Sequence, residues 1–160
     1  MLTKVTYGHF ECTERKNIKL NMMAKSKEEA IEELADLLVR DGAVINKDIF
    51  LKDVWLREEQ GSTGFENHIA IPHGKSSGVA RTALAIGRTQ HHIPWETMDG
   101  SDVRCIILFA VCLVDQNTTH IRLLSQVSGS LADEEIVGKL LMEDSPQKII
   151  DLLNAEGVSA

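Results

Sequence analysis

Apolar residues recur at helical spacing in the first third of the chain. Between residues 26 and 41 they follow one another every three or four positions: Ala30, Ile31, Leu34, Leu37 and Leu38. This period predicts an amphipathic helix, and Ser26 followed by Glu29 is the pattern of a capping box. Asp41-Gly42 then supplies a stop signal.

A second helix is predicted to begin near Asn46 and to end at Gly61. Its apolar content comes from Ile49, Phe50, Val54 and Leu56. Arg57 falls in its last turn, where a cation also suits the negative end of the helix dipole. That purely structural interpretation of Arg57 stays open beside any functional one.

The middle of the chain has the pattern of strands. Ile69 and Ile71 alternate with Ala70, residues 80–88 alternate loosely, and residues 18–22 predict a short strand. Residues 105–114 form a nearly continuous apolar run, which is typical of a strand buried on both faces.

The last third returns to helical patterns. Residues 117–119 offer cap candidates for a helix that carries His120, and two more helices are predicted over residues 133–142 and 145–153. Pro146 stands at the favoured first position of the last helix. Along the chain, helical patterns come before and after the run of strand patterns. This order predicts an α/β sandwich around one central sheet. We expect residues 1–160 to form a single domain, with residues 1–15 as a loosely packed N-terminal arm.

Composition narrows the possible functions. The formal net charge is −7 and aromatic residues make up 4% of the chain, which argues against nucleic acid as a partner. The longest apolar run has ten residues, far fewer than the roughly 20 that span a bilayer. The N-terminus lacks the apolar core of a signal peptide, so we expect a cytoplasmic protein.

Of the cysteines, Cys105 and Cys112 lie in the apolar run and are predicted to be buried thiols.

Gly74-Lys75-Ser76 looks like the end of a phosphate-binding loop of nucleotide-binding proteins. The first glycine of that motif would have to stand at position 69, which is Ile69. The backbone cradle for a nucleotide is therefore missing, and ATP is disfavoured as the substrate.

His73 is the strongest candidate for chemistry. It stands between Pro72, which fixes its own backbone φ, and Gly74, which permits a sharp turn, so we expect it at the rim of the sheet. Neutral imidazole has an ordinary pKa of about 6.5 and can attack phosphorus.

Transfer of a phosphoryl group also needs cations and hydrogen-bond donors near its oxygens. Arg57 and His120 could provide charge and hydrogen bonds, and Ser62 and Thr63 could add neutral donors as phosphate-binding residues.

Several ordered motifs resemble a known family. Arg57-Glu58, the glycine-bracketed residues 61–64, the Ile-Ala-Ile-Pro-His-Gly segment at 69–74 and the segment from Thr119 to Ser125 are similar to the type-2 enzyme IIA domains. These domains, of the fructose/mannitol type, belong to the bacterial phosphoenolpyruvate-dependent sugar phosphotransferase system, and the nitrogen-regulatory IIA proteins share them. The likeness covers roughly residues 16–155.

The resemblance implies a central mixed β-sheet flanked by helices. It implies that His73 accepts a phosphoryl group from a small phosphocarrier protein and passes it to a IIB component, which serves a membrane IIC component. His120 matches the second active-site histidine of the family, and Arg57 matches its arginine. No metal, nucleotide or other cofactor is expected.

Residues 65–68 depart from the family, because they are bulkier than the small, glycine-containing stretch usual there. We hypothesise that they influence the choice of partner. Two other functions stay open at this point. One is a regulatory protein whose phosphorylation controls association with other proteins. The other is a three-histidine metal site formed by His68, His73 and His120.

Overall fold

A computed structural model describes residues 15–115 and 119–159 of the chain. Five helices lie in these ranges: α1 Lys27–Asp41, α2 Lys47–Glu59, α3 Thr119–Leu131, α4 Glu134–Met142 and α5 Pro146–Ser159. The strands are β1 Ile18–Lys19, β2 Ile69–Ala70, β3 His73–Ser76, β4 Ala83–Ile93 and β5 Val103–Cys112. None of the helices in the described ranges is long and apolar enough to cross a membrane.

The strands form one mixed sheet with the order β1-β4-β5-β2. β4 and β5 are antiparallel, whereas β1 runs parallel to β4. β2 and β3 both run parallel to β5 and occupy successive stretches of the edge that β4 leaves open. The predicted α/β sandwich with a central mixed sheet is therefore confirmed.

Both faces of the central strand β5 are buried, as its apolar run predicts. Ile106, Leu108 and Ala110 join the core beneath α1 and α2. The alternate residues join a second core beneath α3, α4 and α5: Cys105, Ile107, Phe109 and Val111. Cys105 and Cys112 are buried thiols, as predicted, and burial raises the pKa of Cys105 to about 12.

The start and the end of α1 follow its sequence signals. The hydroxyl of Ser26 accepts from the backbone N–H of Glu29 at 3.1 Å, and Gly42 ends the helix at φ 87°. In a capping box the Glu29 carboxylate would accept from the N–H of Ser26 itself. Here it accepts from the N–H of the preceding residue, Lys25, at 2.9 Å. Asn46 caps α2 in the same way, by accepting from the N–H of Ile49 at 3.1 Å.

Several predicted boundaries differ from the structure. The apolar run at 105–114 overshoots β5, because Leu113–Asp115 forms a short 3-10 turn instead. Of the predicted strand at 18–22, only Ile18–Lys19 is a regular strand, although the N–H of Met22 still donates to the carbonyl oxygen of Arg88 on β4 at 3.0 Å. α5 continues to Ser159, beyond the predicted end at residue 153. The cap candidates at 117 and 118 and residues 1–14 of the predicted arm at 1–15 lie outside the described residues.

Candidate active site

His73 is the first residue of β3 and lies opposite Phe109 on β5. Its ring is partly exposed, and Nδ1 lies 2.9 Å from the carbonyl oxygen of Ile71. A carbonyl oxygen only accepts hydrogen bonds, so Nδ1 must carry the proton in this contact. In the neutral imidazole the lone pair then resides on Nε2, which is the atom prepared for nucleophilic attack.

Gly74 does not make the sharp turn that was predicted for it. It continues β3, and its role is to allow a close approach between the strand and α2. A Cβ at this position would lie 2.8 Å from Cγ2 and 3.1 Å from the backbone nitrogen of Val54. The absence of a side chain at position 74 therefore allows β3, and His73 with it, to lie this close to α2.

Arg57 in the last turn of α2 faces the same cleft as His73. The cleft has a volume of ≈ 310 Å³. It is lined by Asp53, Leu56, Arg57, Gln60, His73, Lys75, Val111 and Leu124. The Nη1 group of Arg57 donates to the carbonyl oxygen of Gly61 at 2.8 Å. This bond anchors the guanidinium group of a residue that lines the cleft.

Lys75 is a cation of the cleft that sequence reasoning missed. It is exposed, and it follows His73 by two positions in β3. Residues two apart in a strand share a face, so the ammonium group and the imidazole belong to one surface. In sequence, Gly74-Lys75-Ser76 resembles part of a nucleotide loop. In the structure residues 73–76 form a strand, and the period of two along a strand relates Lys75 to His73.

His120 is the second residue of α3, and its side chain lies outside the described part of the structure. Leu124, four residues later, lines the cleft. Residues four apart share a face of a helix. This placement on α3 is compatible with a role for His120 at the cleft, which stays a prediction.

Ser62 and Thr63 do not line the cleft, and their hydroxyl groups have other partners. The Ser62 hydroxyl donates to the carbonyl oxygen of Glu96 at 2.6 Å. The buried Thr63 hydroxyl donates to the carboxylate of Glu58, which also accepts from the N–H of Thr63 at 3.1 Å. Phosphate binding by Ser62 and Thr63 stays a prediction that this hydrogen bonding does not favour.

His68 and His73 lie too far apart to bind one metal ion. Ile69 pairs with Cys105 and His73 with Phe109, and this separation along β5 corresponds to roughly 13 Å at about 3.3 Å per residue. The ring of His68 is directed towards Asp102, whose carboxylate lies 3.1 Å from Nδ1. The backbone of His68 lies beside the start of β5, because its carbonyl oxygen accepts from the N–H groups of Arg104 and Cys105 at 2.9 and 3.0 Å. The influence of residues 65–68 on the choice of partner stays a prediction.

An α/β sandwich that presents a histidine with a fixed tautomer beside an arginine and a lysine has the components of a phosphoryl-transfer site. The sequence comparison agrees with this class. The chain belongs to the family described as "Phosphoenolpyruvate-dependent sugar phosphotransferase system, EIIA 2", whose model matches residues 11–156. The predicted membership of the type-2 enzyme IIA domains is confirmed.

Relatives include both sugar-transport and regulatory proteins. The chain is 35% identical over 144 residues to the PTS system fructose-specific EIIABC component of Bacillus subtilis, covering 90% of this chain and 22% of that protein. It thus spans about a fifth of that relative's length. The PTS system fructose-specific EIIA component of Haloferax volcanii is 33% identical, with 85% of this chain and 88% of that protein covered.

A solved structure supports the fold assignment. The nitrogen regulatory protein IIA-Ntr from Neisseria meningitidis superposes with a TM-score of 0.82 at 28% identity, and the match covers 89% of this chain and 97% of that one. The arrangement of helices and strands described above is therefore that of an enzyme IIA domain.

Proposed function

We propose that this chain is a phosphohistidine carrier of the sugar phosphotransferase system, with His73 as the phosphoryl acceptor. The observation that carries the proposal is the hydrogen bond from Nδ1 of His73 to the carbonyl oxygen of Ile71. It directs the lone pair of the neutral ring to Nε2, in a cleft that also contains Arg57 and Lys75.

The transfer is a displacement at phosphorus. Nε2 of His73 forms an N–P bond while the N–P bond to the histidine of the donor breaks, and the donor imidazole keeps the electron pair. The planar guanidinium group of Arg57 and the ammonium group of Lys75 suit the equatorial oxygens, on which charge is spread in the transition state. In the onward step a cysteine thiolate forms an S–P bond and the electron pair returns to Nε2.

The family and the relatives also support a set of partners. A small phosphocarrier protein would supply the phosphoryl group, and a IIB component would remove it for a sugar that enters through a membrane IIC component. The joining of IIA, IIB and IIC in the name of the B. subtilis relative supports the IIB and IIC components in this sequence. We place the reaction in the cytoplasm, where phosphoenolpyruvate is available.

Phosphorylation by purified components tests the proposal. The chain is incubated with phosphoenolpyruvate and the two general phosphotransfer proteins, and the acid-labile phosphate is mapped. His73→Ala should abolish labelling. His91→Ala is the matched control, because His91 is an exposed histidine on β4, and it should be labelled like the wild type. Labelling of His73→Ala at the wild-type rate would refute the assignment.

His120 is proposed to act mainly in onward transfer. We expect His120→Ala to accept the phosphoryl group and to pass it more slowly to a cognate IIB component. Wild-type onward transfer by this variant would remove His120 from the mechanism.

A regulatory function is the second candidate, and the likeness to IIA-Ntr of N. meningitidis favours it. The chemistry at His73 would be the same, but the phosphorylated and unphosphorylated forms would differ in their binding to other proteins. Transfer from the labelled chain to a IIB component encoded beside it distinguishes the two candidates. Rapid loss of label to IIB supports transport, whereas stable label together with phosphorylation-dependent binding of another protein supports regulation.

A further inference from the structure

We propose that the buried residues Glu58 and Thr63, together with the partly exposed Lys27, form a network that positions both His73 and Arg57 for phosphoryl transfer. These three are positioning residues, since they act through neighbours and do not line the cleft. The inference rests on the proposed function of His73.

The centre of the network is a carboxylate in an apolar position. Phe50, Val54 and Glu58 stand four residues apart on the buried side of α2, and Glu58 is only 8% exposed. Its carboxylate accepts the hydroxyl and the N–H of Thr63. It also lies 2.7 Å from the ammonium nitrogen of Lys27 at the start of α1.

Aromatic rings surround the ammonium group of this ion pair. Nζ of Lys27 lies 4.9 Å from the ring centre of Trp95 and 5.8 Å from that of Trp55. Cation–π contacts of this kind attract the ammonium group to the faces of the two rings, and the Lys27 side chain is 21% exposed. The ion pair thus joins α1, α2 and the segment before β5.

The network reaches His73 through Ile71. The carbonyl oxygen of Thr63 accepts from the N–H of Ile71 at 3.0 Å, and the carbonyl oxygen of Ile71 accepts from Nδ1 of His73 at 2.9 Å. Thr63 therefore holds the residue that selects the tautomer and the orientation of the imidazole.

The network reaches Arg57 through the loop at 61–63. The N–H of Gly61 donates to the carbonyl oxygen of Glu58 at 3.1 Å, and the carbonyl oxygen of Gly61 accepts from Arg57 at 2.8 Å. Because the Glu58 carboxylate ties Thr63 back to α2, it fixes the short loop that anchors the guanidinium group.

Stability alone does not account for a charged pair in this place. A buried ion pair often contributes no more than an apolar replacement of similar volume, because both charges must be desolvated. Hydrogen bonds do, however, fix directions that apolar contacts leave free. The network is connected to the cleft by two hydrogen bonds. One joins Ile71 to His73, and the other joins Gly61 to Arg57.

A matched pair of variants at Thr63 tests the inference. Thr63→Val removes the hydroxyl and keeps the shape, whereas Thr63→Ser keeps the hydroxyl. We expect the single-turnover rate of phosphorylation at saturating phosphocarrier protein to fall about ten- to a hundredfold in Thr63→Val, as for a small misplacement of reacting groups. Thr63→Ser should restore it, and the phosphocarrier concentration for half-saturation should not change.

Nitrogen NMR of the His73 ring supplies a readout that a purely structural role would not affect. In folded Thr63→Val, the fraction of the tautomer protonated at Nδ1 should decrease, and in Thr63→Ser it should match the wild type. Glu58→Gln should resemble Thr63→Val, whereas Glu59→Gln, on the exposed neighbour in the same helix, should resemble the wild type in rate and tautomer.

Wild-type saturating rate and wild-type tautomer in folded Thr63→Val would overturn the inference. If that variant does not fold, Lys27→Gln at the partly exposed end of the network gives the same test, and an unchanged rate and tautomer there would equally overturn it. A failure of the proposed function looks different, because then the wild-type chain itself would take no phosphoryl group on His73.

Discussion

Replacing Gly74 by alanine should separate β3 from α2 and displace the neighbouring His73. The new Cβ would lie 2.8 Å from Cγ2 of Val54, closer than carbon atoms approach in folded proteins. Rotation of the valine cannot remove the whole conflict, because the backbone nitrogen and Cα of Val54 would lie at 3.1 and 3.3 Å. The strand itself therefore has to move by a few tenths of an ångström.

Overpacking of this kind typically costs about 1–3 kcal/mol. In a domain of this size, each kcal/mol lowers the melting temperature by about 2–4 °C. We therefore expect a decrease in the free energy of unfolding of about 1–3 kcal/mol and slower phosphorylation of His73. Denaturant unfolding and the single-turnover assay measure the two effects.

Gly138→Ala is the control for this experiment. Gly138 lies on α4, and a Cβ there meets no atom within 4 Å, so the same chemical change should stabilise the helix by about 0.5–1 kcal/mol. The double variant Val54→Ala/Gly74→Ala removes Cγ2 of Val54, so its loss of stability should be smaller than the sum of the losses in the two single variants, which is a favourable coupling term. Unchanged stability of Gly74→Ala would refute the close-packing argument.

Three further predictions concern α1, the cleft and acid stability. Ser26→Ala removes the cap of α1 and should cost about 0.5–2 kcal/mol in denaturant unfolding; no loss would contradict the cap. Lys75→Gln should slow phosphoryl acceptance and weaken its salt dependence, and an unchanged rate would exclude Lys75 from the site. Burial raises the pKa of Glu58, but hydrogen bonds from Lys27 and Thr63 outweigh it, so the pKa lies below its ordinary 4.5. The stabilisation is complete above that pH and is lost on acidification, so the difference in unfolding free energy between wild type and Glu58→Gln should change only below about pH 4.5.

Local signals predicted much of the fold. The helical period and the caps at Ser26 and Gly42 lie within one element, so neighbouring residues suffice to predict α1. The apolar run at 105–114 predicted a doubly buried strand for the same reason. The strand β3 was missed, because its four residues include a glycine, a lysine and a serine and its pairing with β5 is a contact distant in sequence.

The candidate site was only partly accessible to sequence reasoning. His73 and Arg57 were predicted together, and the structure places both at one cleft. The role of Gly74 depends on Val54 of α2, so its sequence motif alone predicted a turn. The role of Thr63 depends on Glu58 of the same helix, so its motif alone predicted a phosphate ligand. The position of Glu58 in the buried stripe of α2 was a signal that could have been noticed, because a carboxylate there needs partners.

The ring atom that carries the phosphoryl group tests the central claim most directly. The wild-type chain, labelled with nitrogen-15 in histidine, is phosphorylated through the phosphocarrier protein and studied by phosphorus and nitrogen NMR. Because Nδ1 of His73 donates to Ile71, we predict a single N–P bond at Nε2 of His73. Phosphate at Nδ1, or on another residue, would contradict the account.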